Sequence, residues 1–114
     1  MVNIKENLKN INLIDIKLNV PQVGSFKIDY DKFSDVPNDK IFDFVINLDG
    51  DILIGRGHYK LNKKQKLLYF AGRLKIRNGK IIYIDNDSGH YIPTKKETER
   101  IKEVLQKSKV AINI

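Results

Sequence analysis

The chain contains no cysteine, which excludes disulfide bonds and thiolate metal sites. A protein without cysteine fits a reducing compartment, so we expect a cytoplasmic location. No apolar stretch approaches the roughly 20 residues that a membrane-spanning helix needs. Residues 1–10 alternate lysine, glutamate and asparagine with single apolar residues, which is not the pattern of a secretory signal. The sequence therefore predicts no contact with a membrane.

Glycine and proline are also scarce, at 7 and 3 residues, and they form no linker-like cluster or repeat. A chain of 114 residues with 41% hydrophobic and 31% charged side chains is typical of a single globular domain. We expect residues 1–114 to form that domain. Residues 1–40 would supply strands that complete a sheet, and residues 41–114 would hold its hairpins and helix.

Positive charge is concentrated in the second half of the chain. Residues 1–55 carry 6 basic and 9 acidic side chains, whereas residues 56–114 carry 15 basic and 5 acidic ones. This polarity indicates an anionic partner such as a nucleotide, a phosphate or a nucleic acid. A solvated, lysine-rich surface explains the same numbers without any partner.

Alternating apolar residues predict strands over 14–20 and 26–30, followed by a loop up to residue 40. A first hairpin runs over 42–61 around a two-residue turn at Asp49-Gly50, and a second runs over 67–85 around Asn78-Gly79. Exposed edges of such strands make a homodimer or a higher homo-oligomer an open prediction.

The register of the second hairpin follows from its turn. Ile76 is expected opposite Ile81, and Leu74 opposite Tyr83, which makes one side of the ribbon apolar. The other side is then expected to combine basic residues with two isoleucines: Arg73, Lys75, Arg77, Lys80, Ile82 and Ile84.

One helix is predicted near the C-terminus. Thr94 and Glu97 have the spacing of a capping box, and an apolar stripe of three residues follows over about 12 positions: Ile101, Val104 and Leu105. Residues 110–114 alternate again as a possible last strand. The expected fold class is α+β, a strongly bent antiparallel sheet or small β-barrel built from hairpins, with one C-terminal helix.

Several short segments of the last two thirds of the chain carry a family resemblance. They are Ile54-Gly55-Arg56-Gly57-His58, Ala71-Gly72-Arg73-Leu74, Asn78-Gly79 and Ser88-Gly89-His90-Tyr91-Ile92-Pro93-Thr94. Their order resembles the C-terminal region of the plant IQ-motif calmodulin-binding family and its uncharacterised bacterial and fungal relatives. The resemblance implies a fold and a site position more than an activity.

Two departures limit what this resemblance implies. The chain has no IQ motif of the Ile-Gln-x-x-x-Arg type, so calmodulin binding is not expected. The residues after His58, Tyr59 to Lys64, lack the glycine-rich run that the family often has there.

Two histidines and two arginines are the candidate site. Arg56 and His58 follow glycines that allow a ligand to approach the backbone closely, and His90 lies just before a helix N-terminus, which attracts anions. We expect phosphate on Arg56, Arg73 and the helix N-terminus, with both imidazoles bonding ribose or phosphate oxygens. The full set of expected ligand-binding residues is Arg56, His58, Arg73, Ser88, His90, Tyr91 and Thr94.

Each of these residues also has a structural interpretation. His90 can be a buried histidine that fixes the turn, and the Arg56-His58 pair can lie at a bulge of an edge strand. A tyrosine, Tyr69, Tyr83 or Tyr91, can stack on a base, although aromatics at strand spacing more often lie in the core.

Three function classes remain open. The first is a binding module for an ADP-ribose-type or cyclic nucleotide, in one version a bacterial or phage anti-defence protein that sequesters an immune signal. The second is a small enzyme with His58 and His90 as acid and base. The third, less favoured, is nucleic-acid binding by the basic loop Lys60, Lys63, Lys64 and Lys66. No cofactor and no metal site are expected.

Overall fold

The computed structural model of the protein describes residues 2–17, 30, 32–108 and 110–114. These residues form seven strands: β1 (Val2–Asn3), β2 (Ile14–Asp15), β3 (Phe42–Ile46), β4 (Asp51–Gly55), β5 (Leu67–Leu68), β6 (Phe70–Arg77) and β7 (Lys80–Asp85). They also form a helical turn α1 (His58–Leu61), a helix α2 (Lys95–Lys107) and 3-10 turns at Lys5–Asn7 and Phe33–Asp35.

Five of the strands form one antiparallel sheet in the order β1-β4-β3-β6-β7, and β2 pairs with β5 as a separate ribbon. The large sheet is strongly curled into a half-barrel, and α2 follows it at the C-terminus. This architecture confirms the predicted α+β class, with a bent hairpin sheet and one C-terminal helix.

Alternating residues along β3 supply one face of the apolar core. Phe42, Phe44 and Ile46 are buried on one face, because successive side chains of a strand point to opposite sides. The three apolar stripe residues predicted for α2 are buried as well: Ile101, Val104 and Leu105. Each such side chain contributes about 1.5–3 kcal/mol when fully buried, so this face holds the sheet and the helix together.

The first hairpin turns differently from the prediction. The Gly50 N–H donates to the Asn47 carbonyl at 2.9 Å and the Asn47 N–H donates to the Asp51 carbonyl at 3.1 Å. Residues 48–50 therefore form a three-residue loop with Gly50 at φ 81°, the conformation that glycine adopts without strain. The prediction of a two-residue turn at Asp49-Gly50 was therefore wrong, because the loop is one residue longer.

The return strand of that hairpin ends earlier than the predicted residue 61. β4 stops at Gly55, and α1 begins at His58. Gly57 stands between them at φ 85°, a backbone conformation that redirects the chain and that L side chains rarely adopt. Glycine at this position turns a predicted strand into a helical turn.

The second hairpin contains a bulge. Its turn at Asn78-Gly79 has both residues at positive φ, as predicted, and Ile76 lies opposite Ile81. One step further, Lys75 lies opposite Tyr83, so the strands pair with one extra residue on β7.

The bulge exchanges two predicted positions. Leu74 lies opposite Ile84 and not opposite Tyr83. Ile84 consequently belongs to the core at 4% exposure, whereas Tyr83 is 38% exposed on the other face. A bulge shifts every later side chain of its strand to the opposite face. The predicted apolar side was therefore wrong on β7 beyond Ile81, whereas Leu74 on β6 is buried as predicted.

The terminal predictions have mixed outcomes. The predicted strands over 14–20 and 26–30 fall largely outside the described residues, and within them β2 covers Ile14–Asp15. At the C-terminus, the predicted last strand is reduced to a bridge, in which the Asn113 N–H donates to the Ile81 carbonyl at 2.8 Å.

The capping box of α2 is present as predicted. The Glu97 N–H donates to Thr94 Oγ1 at 3.0 Å, and the Thr94 N–H donates to Glu97 Oε1 at 2.8 Å. These two bonds satisfy orphan donors and begin the helix at Lys95. Among the described residues, neither helix is long and apolar enough to cross a bilayer.

Candidate functional site

Three charged side chains form a row on the sheet face opposite to Phe42 and Phe44. Asp43 on β3 lies directly opposite Arg73 on β6, and Arg73 lies directly opposite Asp85 on β7. Directly opposed residues of antiparallel strands project to the same face, so these side chains are neighbours. We call Asp43, Arg73 and Asp85 the polar row.

Arg73 is held in the polar row by a fork of hydrogen bonds. Its Nε and Nη2 donate to Asp85 Oδ2 at 3.0 and 2.7 Å, and Asp87 Oδ2 lies 3.6 Å from Nη2. The hydrogen bonds to Asp85 raise the pKa of Arg73 above its usual range. The guanidinium that was expected to hold a phosphate is therefore paired with carboxylates of its own chain.

Asp85 is the most connected member of the row. Burial alone would raise its pKa, but hydrogen bonds from Arg73, from the Asp87 N–H and from the Tyr83 hydroxyl outweigh burial and lower the pKa. The Tyr83 hydroxyl donates to Asp85 Oδ2 at 2.9 Å, which raises the pKa of Tyr83. Asp85 thus remains ionised and fixes two side chains that the sequence left as ligand candidates.

His58 opens α1 and lies next to the polar row. Its Nε2 is 2.7 Å from the Gly72 carbonyl oxygen, and because a carbonyl only accepts, Nε2 carries the proton. Asp43 Oδ1 lies 3.8 Å from the same nitrogen, while Asp43 Oδ2 accepts from the Gly57 N–H at 2.8 Å. With 5% exposure, His58 ties α1 to β3 and β6.

Arg56 precedes this turn at the end of β4. Its guanidinium carbon lies 4.7 Å from the centroid of the Phe42 ring, which is a cation–π geometry. The arginine is half-buried, so it covers the edge of the core while its charge stays near the surface.

The Ser88–Pro93 segment forms a tight connection between β7 and α2. Buried Ser88 accepts a hydrogen bond at Oγ from the Ile92 N–H at 2.7 Å, and Lys17 Nζ donates to the Ile92 carbonyl at 2.8 Å. These bonds hold Ile92 at φ 47°, which is unusual for a β-branched residue. Asn86 Nδ2 closes the segment with a 2.8 Å bond to the Pro93 carbonyl.

His90 and Tyr91 face the residues of α1 and the loop after it. The His90 ring stacks on the Tyr59 ring with centroids 6.3 Å apart. The backbone carbonyl of His90 accepts from the Lys17 N–H at 2.8 Å. Tyr91 is fully buried, and its hydroxyl donates to the Gln65 carbonyl at 2.7 Å. Burial raises the pKa of Tyr91, so its phenol stays protonated and joins the two segments.

The structure brings the predicted residues into two groups. Arg73 belongs to the polar row and His58 lies next to it, whereas His90 and Tyr91 pack on the Tyr59 side of α1. The side chains of His58, Arg73, Ser88, Tyr91 and Thr94 all have hydrogen-bond partners within the chain.

Sequence reasoning missed the residues that hold these groups in place. Asp43 is a single polar residue between two phenylalanines, and its proximity to Arg73 depends on β3 pairing with β6, a partner that is distant in the chain. Asn62 is buried at 2% exposure and donates to two carbonyls of its own loop. The alternation of apolar residues around Asp43 was a usable signal that this residue faces away from Phe42 and Phe44. No feature of the sequence indicated that Asn62 is buried.

An open cleft of about 620 Å³ lies elsewhere, between α2 and the segment before β2. Its walls combine an apolar floor, an aromatic ring, amides and charges of both signs: Ile11, Ile14, Ile101, Tyr69, Asn10, Asn12, Lys96, Arg100, Glu97, Glu99 and Glu103. A volume of roughly 300–1,000 Å³ is usual for small-molecule sites. Of the residues proposed from sequence, Tyr69 lines this cleft.

Comparison of the chain with family models, with curated proteins and with solved structures gives no match. The resemblance to the plant calmodulin-binding family consequently stays a prediction, and the function has to be argued from the geometry.

Proposed function

We propose that this protein is a binding module for a small nucleotide-like anion, and that the ligand occupies the cleft beside α2. The observation that carries the proposal is the cleft itself, with a volume of about 620 Å³ and an aromatic ring, two amides and two cations around an apolar floor. An aromatic ring over an apolar floor in a volume of this size is a feature of small-ligand sites, and three carboxylates line the same cleft as the two cations.

The lining residues suit the parts of a nucleotide. Tyr69 is half-buried and offers a ring on which a base can stack, an interaction worth about 1–3 kcal/mol per base. Asn10 and Asn12 supply amide donors and acceptors for the base edge or the ribose. Lys96 and Arg100 are four residues apart on α2, so they are neighbours on one helix face and can hold one phosphate between them.

The acidic residues of the cleft are largely engaged elsewhere. Glu97 accepts the capping hydrogen bond from Thr94, and Glu99 lies 3.2 Å from Lys102 Nζ. Only Glu103 competes directly, since its Oε2 lies 3.8 Å from Arg100 Nη1. We therefore expect Glu103→Gln to strengthen anion binding by about twofold to fivefold, the range of an exposed ion pair.

A binding role is favoured over catalysis because neither His58 nor His90 is among the residues that line the cleft. His58 Nε2 is committed to the Gly72 carbonyl at 2.7 Å, and a general base needs a nitrogen within reach of the substrate proton. A domain that binds without turnover acts by retaining its ligand. Sequestration of an immune signalling nucleotide is one such action.

The test is retention of nucleotides by the purified protein. The protein is incubated with a panel of mononucleotides, cyclic nucleotides and ADP-ribose, separated from free ligand, denatured and analysed by mass spectrometry. We expect release of an intact ligand. A ligand of changed mass would contradict the binding role and support the enzyme, and salt-sensitive binding of RNA or DNA alone would support the third class.

Two variants locate the ligand. Lys96→Ala combined with Arg100→Ala should weaken binding about tenfold, because two charge-assisted contacts are lost. Lys80→Ala, on the hairpin turn, is the matched control and should leave affinity unchanged. If Arg56→Ala abolishes binding while the α2 double variant retains it, the ligand lies beside Arg56, as predicted from the sequence, and the cleft assignment is wrong.

A further inference from the structure

The cleft beside α2 does not end at Arg100. A second cleft of about 260 Å³ continues along the helix. The two share four lining residues: Asn10, Ile11, Arg100 and Glu103. Because these residues belong to both, the two clefts form one groove with a wide and a narrow part.

The two parts of the groove differ in chemistry. The wide part contains Tyr69 and an apolar floor. Of the described residues that line the narrow part, none is aromatic, and most are polar or charged. Asn7 lies there with its Nδ2 donating to Ser108 Oγ at 2.9 Å, and its Oδ1 is a group that can accept from a sugar hydroxyl. The narrow part therefore suits a sugar better than a second base.

Cations are spaced along the whole groove. Lys96 lines the wide part, Arg100 lies at the junction, and Lys9 and Lys107 line the narrow part. Along a helix rising 1.5 Å per residue, Lys96 and Lys107 are separated by roughly 16 Å. The same groove is lined by four carboxylates, those of Glu6, Glu97, Glu99 and Glu103. A diphosphate at Arg100 brings a second negative charge toward Lys9 and Lys107, where it competes with Glu6 and Glu103, whereas a single phosphate between Lys96 and Arg100 does not.

We infer that the ligand is a two-part molecule of the ADP-ribose type, in which a diphosphate joins a nucleoside to a second sugar. The base occupies the wide part on Tyr69, the diphosphate crosses the junction at Arg100, and the second sugar fills the narrow part. This inference rests on the proposed function and selects, among its ligands, the extended form over a compact cyclic mononucleotide.

The test compares ADP-ribose, AMP and ribose 5-phosphate by isothermal titration calorimetry at low salt. We expect ADP-ribose to bind at least tenfold more tightly than AMP, and ribose 5-phosphate to bind most weakly. In the variant Lys9→Ala/Lys107→Ala, affinity for ADP-ribose should fall about threefold to tenfold while affinity for AMP stays unchanged. Both lysines are exposed, so the variant is expected to fold, and Lys80→Ala serves as the control.

The outcomes separate the two proposals. If AMP binds as tightly as ADP-ribose, or if the double variant weakens both equally, the two-part ligand is refuted and the binding module stands. If neither nucleotide binds but a cyclic nucleotide is retained, the two-part ligand is refuted and the binding module stands. If nothing in the nucleotide panel binds, both proposals are refuted.

Discussion

The role of Tyr91 can be decided by removing a single oxygen atom. In Tyr91→Phe the buried ring stays in place, and only the hydroxyl contacts are lost, a 2.7 Å bond to the Gln65 carbonyl and a 3.3 Å contact from Asn62 Nδ2. Asn62 Nδ2 keeps two other acceptors at 2.9 and 3.0 Å. The loss is thus close to one buried hydrogen bond, about 1–2 kcal/mol of the free energy of unfolding.

For a domain of this size, that loss corresponds to a decrease of about 4–12 °C in Tm. The measurement is urea and thermal unfolding of the wild type, Tyr91→Phe and Tyr83→Phe. Tyr83 is the matched control because its ring is 38% exposed and its hydroxyl bond to Asp85 lies at the surface, so loss of that hydroxyl should cost less than about 1 kcal/mol. Unchanged stability of Tyr91→Phe together with lost ligand retention would refute the structural role and return Tyr91 to the ligand site.

A pH series tests the same argument. Burial raises the pKa of Tyr91 in the folded state, whereas the unfolded phenol titrates near pH 10. The associated stability is fully present below about pH 10 and is lost as the pH rises toward the folded pKa, because the unfolded chain ionises first. The stability difference between the wild type and Tyr91→Phe should therefore shrink above about pH 10.

Three further substitutions test the packing around the polar row and the turn before α2. Gly72→Ala should lower the free energy of unfolding by more than about 3 kcal/mol. A Cβ at this position would overlap the Asp85 carbonyl oxygen and displace the Gly72 carbonyl, which accepts from His58 Nε2. A Tm within about 2 °C of the wild type would contradict this prediction. Asp85→Asn should lower the free energy of unfolding by about 1 kcal/mol at neutral pH. It should also flatten the acid side of the plot of stability against pH. The pKa of Asp85 is lowered in the folded state, so its contribution to stability is lost in the wild type as the pH falls below about 4. Ile92→Asn should raise the free energy of unfolding by about 0.5–1 kcal/mol, because asparagine tolerates the φ of 47° better, and a decrease would mean that contacts of the isoleucine side chain outweigh the backbone strain.

The sequence predicted those parts of the fold that depend on neighbouring residues. The capping box at Thr94 and the turn at Asn78-Gly79 are local hydrogen-bonding and φ requirements, so four to six residues suffice to recognise them. The bulge opposite Lys75 has no such local signal, because it arises from how two strands twist against the core. It was enough to exchange Tyr83 and Ile84 between faces.

The candidate site was harder to predict for a similar reason. His58, Arg73 and His90 were chosen as single residues of suitable chemistry, but their surroundings depend on contacts between distant segments. Arg73 meets Asp43 only because β3 lies beside β6, and His90 meets Tyr59 only because the β7–α2 connection packs on α1. The chemistry of a side chain can be predicted from the residue type alone, whereas its availability to a ligand depends on which residues of the folded chain contact it.

The same contacts bear on what the Ser-Gly-His-Tyr-x-Pro segment signifies. The Ser88 hydroxyl accepts from the Ile92 N–H, and the Tyr91 hydroxyl donates to the Gln65 carbonyl in the loop after α1. Both are buried, and both determine the path of the chain from β7 into α2. A segment whose polar groups are satisfied internally constrains the fold and leaves the choice of ligand to other surfaces. We therefore expect chains that share this segment to share the connection between sheet and helix, while the residues along the outer side of α2 are free to differ and to set the ligand.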